Sequence, residues 1–278
     1  MIGVIDVGGG LRGIYGAGIF DRCLKEQMQF DYCMGVSAGS ANVASYLGGQ
    51  AGRNYRFYHD YAARREYMSL HNFLHGGSYI DLGYVYGILS DQNGEDPLNY
   101  AGICENPARM VVVSTDAETG APIYFGKEDM TQNHYEILSA SSAIPAVCAP
   151  QTVRGKICFD GGVADPVPVE KALRDGCEKI VLILTKPLDA LKPAPVDRAG
   201  ARLLTRRYPK VAKCLQTRFD TFMRGVHTAQ ALCEQGKCLI LAPNDCCGVK
   251  TLTRDKAKLD LLYQKGYTDA AIIADFLS

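Results

Sequence analysis

The chain has 278 residues, of which 47% are hydrophobic and 22% charged, with formal net charge zero. That is an ordinary globular composition with enough chain for a sizeable core. The balanced charge excludes a global field steering the protein to nucleic acid.

In chain order, short β-rich runs alternate with helical patterns. "IGVIDV" (Ile2–Val7) reads as a buried strand and "GIYGAGIFDRCLKEQ" as the helix after it. "FDYCMGV" reads as a second strand and "SANVASYLGG" as a small-residue helix that can pack close to a sheet. Residues 53–89 read as helical and tyrosine-rich. "RMVVVSTDA" and "PIYFG" read as strands, "HYEILSASSAI" as a helix, and "TVRGKICFDGG" as a strand ending in a turn. "PVEKALRDG" reads as a helix with Pro166 or Pro168 near its start and Gly176 after its end, followed by the strands "KIVLILT" and "KCLILAP". The alternation predicts an α/β layered fold with a mainly parallel central sheet flanked by helices. "KPLDALKPAP" is the best linker candidate, but "CLILAP" is expected to rejoin the same sheet, giving one domain over 1–278.

Eleven cysteines without a CxxC pair or a regular framework predict reduced thiols, mostly in apolar runs, and a reducing, cytoplasmic compartment. Cys233, Cys238, Cys246 and Cys247 cluster late in the chain but miss the usual zinc spacing. The first residues lack the basic region of a signal peptide, and no window approaches the length of a spanning helix.

Three stretches carry chemistry. "GGGLRG" (8–13) follows the first strand, and consecutive glycines can turn their N–H groups toward one anion or oxyanion. No Gly-Lys-Ser/Thr follows, which excludes a P-loop. "GVSAG" (35–39) has the G-x-S-x-G pattern of a nucleophile elbow, with Gly35 and Gly39 flanking Ser37; the competing reading makes Ser37 an ordinary helix N-cap. "FDGGVADPVP" places Asp160 at the end of an apolar strand, where the alternative is a plain Asp-Gly turn. All three fall at apparent strand ends, where α/β folds place their sites, and together they offer nucleophile, proton acceptor and oxyanion hole.

These motifs, in this order, resemble those of the patatin-like phospholipases: a glycine-rich G-G-G-x-R/K-G loop, a G-x-S-x-G elbow and a later D-G-G/A, here "GGGLRG", "GVSAG" and "DGG" (160–162). "SASSAIPAV" (139–147) also resembles the family's serine-proline stretch, so the likeness spans about residues 1–185 and leaves 186–278 as an extension. The resemblance implies the patatin-like fold and a Ser–Asp dyad acting on lipid esters without metal or organic cofactor. Ser37 would attack the ester carbonyl and Asp160 take its proton. The amides of Gly9, Gly10 and Leu11 would hold the oxyanion, with Arg12 shaping the loop.

Two other readings compete. Ser37, Asp160 and His227 follow the chain order of an α/β-hydrolase triad, although His227 falls in a long helical pattern. Alternatively the glycine loop binds a phosphate or lipid without catalysis. Transacylation uses the same acyl-enzyme and differs only in the acceptor. His71 and His75, at i, i+4 spacing, lack a third metal ligand. Tyr55, Phe57, Tyr58, Tyr61, Tyr67, Met68 and Phe73 are candidates for a cap over an apolar groove. Eight Lys/Arg and one acidic residue, Asp197, between 192 and 218 are candidates for peripheral contact with an anionic membrane, Pro209 dividing the helix that would carry them.

Overall fold

The computed structural model describes residues 1–278. Its strands are β1 (Ile2–Asp6), β2 (Tyr32–Val36), β3 (Arg109–Asp116), β4 (Pro122–Phe125), β5 (Gln151–Val153), β6 (Lys156–Asp160), β7 (Lys179–Ile183) and β8 (Cys238–Leu241). Its helices are α1 (Ile14–Lys25), α2 (Ala38–Leu47), α3 (Arg53–His59), α4 (Leu70–Gly76), α5 (Tyr100–Glu105), α6 (Glu136–Ser141), α7 (Val169–Arg174), α8 (Pro195–Leu204), α9 (Pro209–Cys233), α10 (Lys256–Asp269) and α11 (Ile273–Leu277). One sheet holds all the strands in the order β5-β6-β3-β2-β1-β7-β8, with β4 also on β3. The pairs β1–β2, β1–β7, β2–β3 and β7–β8 are parallel; those of β3 with β4 and β6, and of β5 with β6, are antiparallel.

The central strands are apolar on both faces because helices cover both. Along β1, Val4 faces one core and Ile5 the other; along β7, Val181 and Ile183 alternate with Ile180 and Leu182. The larger core packs under α1, α2 and the 53–98 region, and the other under α7 and α9. β8 extends the sheet beside β7, and α10 packs on α1, where Tyr15 donates to Asp269 and Tyr263 to Asp21 at 2.7 and 2.8 Å.

Two expectations need correction. Residues 53–89 are not one helical run: α3 stops at His59, α4 spans seven residues, and a π-helical turn covers Tyr84–Ile88. Gly76, Gly77 and Gly83 interrupt the pattern, and a bridge between Met68 and Ile80 closes α4 into a flap. "TVRGKICFDGG" is two strands, a hairpin turned at Arg154 and Gly155, both with positive φ (49° and 76°), which is type I′ geometry. Pro209 does start a new helix, so Arg198 and Arg202 lie on α8, and Lys210 on α9.

Candidate active site

β2 ends at Val36 and α2 begins at Ala38, so Ser37 makes the whole turn between them. Its φ of 56° and ψ of −132° are strained for a residue with a side chain. The flanking glycines are sterically required. A Cβ at Gly35 would stand 2.3 Å from Ser40 Cα, and one at Gly39 2.2 Å from the Asp6 carbonyl oxygen. Ser37 occupies the N-cap position of α2, but its side chain makes no capping bond. Its N–H donates to Ser141 Oγ at 2.9 Å, and Ser141 donates in turn to the Val113 carbonyl at 2.6 Å. This ties the strained turn to β3.

The register explains how Asp160 arrives opposite this turn. Val112 and Val113 pair with β2 on one side and with β4 on the other. Ser114 and Thr115 pair with β4 and with β6, so β6 occupies the same edge of β3 as β2. β2 ends with Val36 opposite Val113, and β6 runs toward it and ends with Asp160 opposite Ser114. The two strands meet end to end, and Ser37 and Asp160 line one cavity. β6 is antiparallel, so the rule about the ends of parallel strands covers the glycine loop and Ser37 but not Asp160.

Asp160 is buried, and Gly162 N–H donates to its Oδ1 at 2.8 Å. Burial pushes its pKa above the ordinary carboxylate range; the Ser37 hydroxyl, the Arg218 guanidinium and the Gly162 amide pull it partly back. The Ser37 hydroxyl is close enough to bias this charge, although no well-formed hydrogen bond joins the two side chains. Arg218 Nε donates to the Gly162 carbonyl, and its Nη1 pairs with Asp197 at 3.0 Å.

Gly8, Gly9 and Gly10 all have positive φ (64°, 130° and 62°), which turns the loop tightly after β1. The Gly8 N–H donates to Asp6 at 2.8 Å, while the Gly9 and Gly10 N–H groups have no protein acceptor. Leu11 departs from expectation: its N–H donates to the Thr251 carbonyl at 2.9 Å and is unavailable to an oxyanion while that bond stands. Arg12 also reaches this residue, donating to Thr251 Oγ1 at 2.9 Å, and Thr185 Oγ1 donates to the Gly8 carbonyl. The loop is therefore held from two distant points of the chain, Thr185 and Thr251.

A cavity of about 190 Å³ contains Gly9, Gly10, Arg12, Ser37 and Asp160 in its wall. A second, apolar cavity of about 60 Å³ shares Gly10, Ser37, Ile144 and Thr251 with it and is walled by Phe57, Tyr58, Tyr67 and Met68 among others. Four of the aromatic and methionine candidates thus line a groove at Ser37. Tyr55 stacks on His59, and Phe73 is exposed on α4. His227 is exposed on α9 and absent from the cavity wall, which leaves a Ser-His-Asp triad without geometric support. His71 and His75 stack on each other in the exposed α4, and no group of three metal-ligating side chains occurs. All eleven cysteines are free.

Sequence reading passed over Asp6, Asn42, Ser141, Thr185 and Thr251 as individual residues. Asp6 left a signal, an acid inside an otherwise apolar strand. It is fully buried, accepting from Gly8 N–H and, at 2.7 Å, from Asn42 Nδ2; Asn42 also donates to the Gly13 carbonyl. Burial outweighs these bonds and raises its pKa from 3.8 to about 6. A carboxyl whose pKa is raised on folding contributes stability below the unfolded pKa, and that contribution is lost as pH rises through the folded one. The rise from 3.8 to about 6 corresponds to roughly 3 kcal/mol. Urea unfolding from pH 3.5 to 7 should therefore show wild type losing about that much relative to Asp6→Asn; parallel pH profiles would contradict this account of Asp6.

The family model for patatin-like phospholipase matches residues 7–173. A second model, described as a domain of unknown function (DUF6363), matches residues 208–273. The uncharacterized protein YjjU of Escherichia coli (strain K12) is 30% identical over 188 residues, covering 67% of this chain and 52% of that protein. The chain thus spans about half the length of this curated relative. The crystal structure of VipD from Legionella pneumophila superposes with a TM-score of 0.53 at 12% identity, covering 98% of this chain and 66% of that one, a likeness of fold. With its glycine loop, serine elbow and Asp-Gly-Gly turn inside the matched region, the chain belongs to the patatin-like phospholipase family.

Proposed function

We propose that the protein is a serine acyl hydrolase cleaving the carboxylic esters of lipids, of phospholipase A or lysophospholipase type, through a Ser–Asp dyad. The observation that carries this reading is the end-to-end meeting of β2 and β6 on one edge of β3, with Ser37 and Asp160 facing the same cavity. Ser37 Oγ attacks the ester carbonyl carbon while Asp160 takes the hydroxyl proton. The Gly9 and Gly10 amides hold the carbonyl oxygen as it becomes an oxyanion. The tetrahedral intermediate collapses, the alcohol leaves with the proton from Asp160, and an acyl-serine remains. Water, deprotonated by Asp160, then attacks the acyl carbonyl and releases the fatty acid and free Ser37. Burial supports this role for Asp160, because a free carboxylate is a weak base toward a hydroxyl and a raised pKa makes it stronger. Residues 1–278 act as one unit in this scheme, since Arg218 braces the turn at Gly162 and Thr251 the glycine loop at Arg12. Hydrolysis of short- and long-chain p-nitrophenyl esters tests it; the apolar groove predicts preference for the longer acyl chains, and no turnover of any ester would refute it.

We further propose a peripheral membrane contact through 192–218. Arg198 and Arg202 are exposed on α8 beside Val196 and Leu203, which are 56% and 68% exposed, and Val196 lines the mouth of the cavity. Cations interleaved with apolar side chains suit an anionic lipid surface. Triple reversal of Arg198, Arg202 and Arg206 to glutamate is expected to weaken binding to anionic liposomes, read by sedimentation, by about a hundredfold or more, at ~1 kcal/mol per charge. Unchanged sedimentation would remove this contact. No helix is long and apolar enough to cross a membrane.

A further inference from the structure

The smaller cavity beside Ser37 is not apolar throughout, and most of the polar side chains in its wall are satisfied by the protein. Tyr58 Oη donates to Asn42 Oδ1 at 3.0 Å, Asn54 donates to the Asn42 carbonyl at 3.2 Å, and Thr251 Oγ1 accepts from Arg12. The Tyr86 and Ser142 hydroxyls bond each other at 2.8 Å. Arg53 is the one charged residue in this wall. It is bonded to Ser45 and Ser90, and its Nε stands 3.7 Å from Asp96, which is paired in turn with Arg56. Tyr67 is the exception. It is only 8% exposed, yet apart from the nucleophile its hydroxyl is the one in this wall without a protein partner. Its main chain is pinned: the Tyr67 carbonyl accepts from the Asp81 N–H at 2.9 Å, and the neighbouring Met68 bridges to Ile80.

A buried hydroxyl stripped of every partner is costly. An all-methylene chain filling the cavity strips this one, whereas a chain carrying an oxygen acceptor at the same depth satisfies it. Burial holds the Tyr67 phenol above its ordinary pKa, so it remains a neutral donor. Arg53 already has Asp96 as its counter-ion, so the wall offers no free cation to a carboxylate. The oxygen that fits is therefore uncharged.

We propose that Tyr67 is a specificity-determining residue that selects acyl chains bearing a neutral oxygen, a keto or hydroxyl group along the chain, over unsubstituted chains of equal length. This rests on the acyl-hydrolase reading of Ser37 and names which acyl groups that site prefers, yet it can be tested without turnover. The test is equilibrium binding by calorimetry to Ser37→Ala protein with and without Tyr67→Phe. The probes are methyl decanoate, the methyl oxodecanoates with the keto group at each carbon from four to nine, and the monomethyl ester of decanedioic acid. At least one oxodecanoate should bind about threefold or more tighter than methyl decanoate, the gain of one hydrogen bond between neutral groups. In Tyr67→Phe the order should reverse, because that keto oxygen is then buried without a donor, while methyl decanoate binds as tightly as before or tighter. Tyr67→Phe should also unfold in urea no earlier than the parent, since the hydroxyl has no protein partner to lose. The decanedioate ester should bind no tighter than methyl decanoate. No oxodecanoate binding tighter than methyl decanoate, or a preference unchanged in Tyr67→Phe, overturns the selection. The decanedioate ester binding tightest overturns it in favour of a carboxylate site. Turnover of methyl decanoate by the enzyme with Ser37 intact reports separately on the nucleophile, so a failed hydrolase reading and a failed oxygen selection give different results.

Discussion

Replacing Ser37 with alanine is expected to lower kcat/KM for acyl esters by about 10⁴-fold or more, because loss of the attacking oxygen removes the covalent route. Asp160→Asn should cost about 10²- to 10⁴-fold, the range for a positioned general base, since the amide keeps the shape but cannot accept the proton. Both variants should stay folded. Ser37 contributes no capping bond, and an asparagine at 160 retains an acceptor for the Gly162 amide. The pH profile adds a readout that packing would not mimic. Asp160 must be ionised to act, so kcat/KM should rise with pH through a midpoint above the ordinary carboxylate range. Arg218 favours the ionised form, so Arg218→Gln should move that midpoint to still higher pH. An Asp160→Asn enzyme with wild-type turnover would show that the proton goes elsewhere.

The largest effect on stability is expected at Asp96. This buried carboxylate accepts from Arg56 Nε and Nη2 at 2.6 and 3.0 Å and from Tyr61 at 3.2 Å, and lies 3.7 Å from Arg53 Nε. Arg53 is itself buried, bonded to Ser45, Ser90 and the Asp96 carbonyl, and stacked over Phe57 at 4.3 Å. Burial lowers the Arg53 pKa to about 10, with Asp96 the main opposing influence. Asp96→Ala therefore leaves a buried guanidinium without its counter-ion, and a loss of about 3–5 kcal/mol in urea unfolding is expected. The double variant Arg53→Met/Asp96→Leu should recover most of it, because apolar groups of similar volume replace both charges. A double variant as unstable as Asp96→Ala would show that the network acts through its serine and backbone bonds instead. The same network pins α3, which supplies Phe57 and Tyr58 to the apolar cavity, so Asp96→Ala should also raise KM for long-chain esters.

How far the sequence anticipates this arrangement depends on whether a feature is local. The glycine loop, the elbow and the Asp-Gly-Gly turn each declare themselves within six residues, and the alternation of apolar runs is enough to expect a layered α/β sheet. The antiparallel entry of β6 is not local. It depends on β3 extending past the end of β2, which is settled by pairing across distant segments rather than by any residue pattern. The Arg154–Gly155 turn lacks the Asn-Gly or Asp-Gly signature that would mark a hairpin. The Leu11 amide looked available because its partner, Thr251, lies in a late loop. Residues 53–89 misled for a different reason. Their aromatic content suits a helix, but Arg53 is buried among partners from distant segments, Ser45, Ser90 and Asp96, and glycines break the run. Tertiary pairing overrode local pattern there.

The central claim is that the Ser37 hydroxyl is an activated nucleophile. Incubation with a fluorophosphonate probe followed by peptide mass spectrometry tests this most directly. The account predicts one phosphonyl group on the peptide containing Ser37, abolished in Ser37→Ala and strongly slowed in Asp160→Asn. An unlabelled Ser37 under conditions that saturate a control serine hydrolase, or labelling of equal rate with and without Asp160, would contradict it.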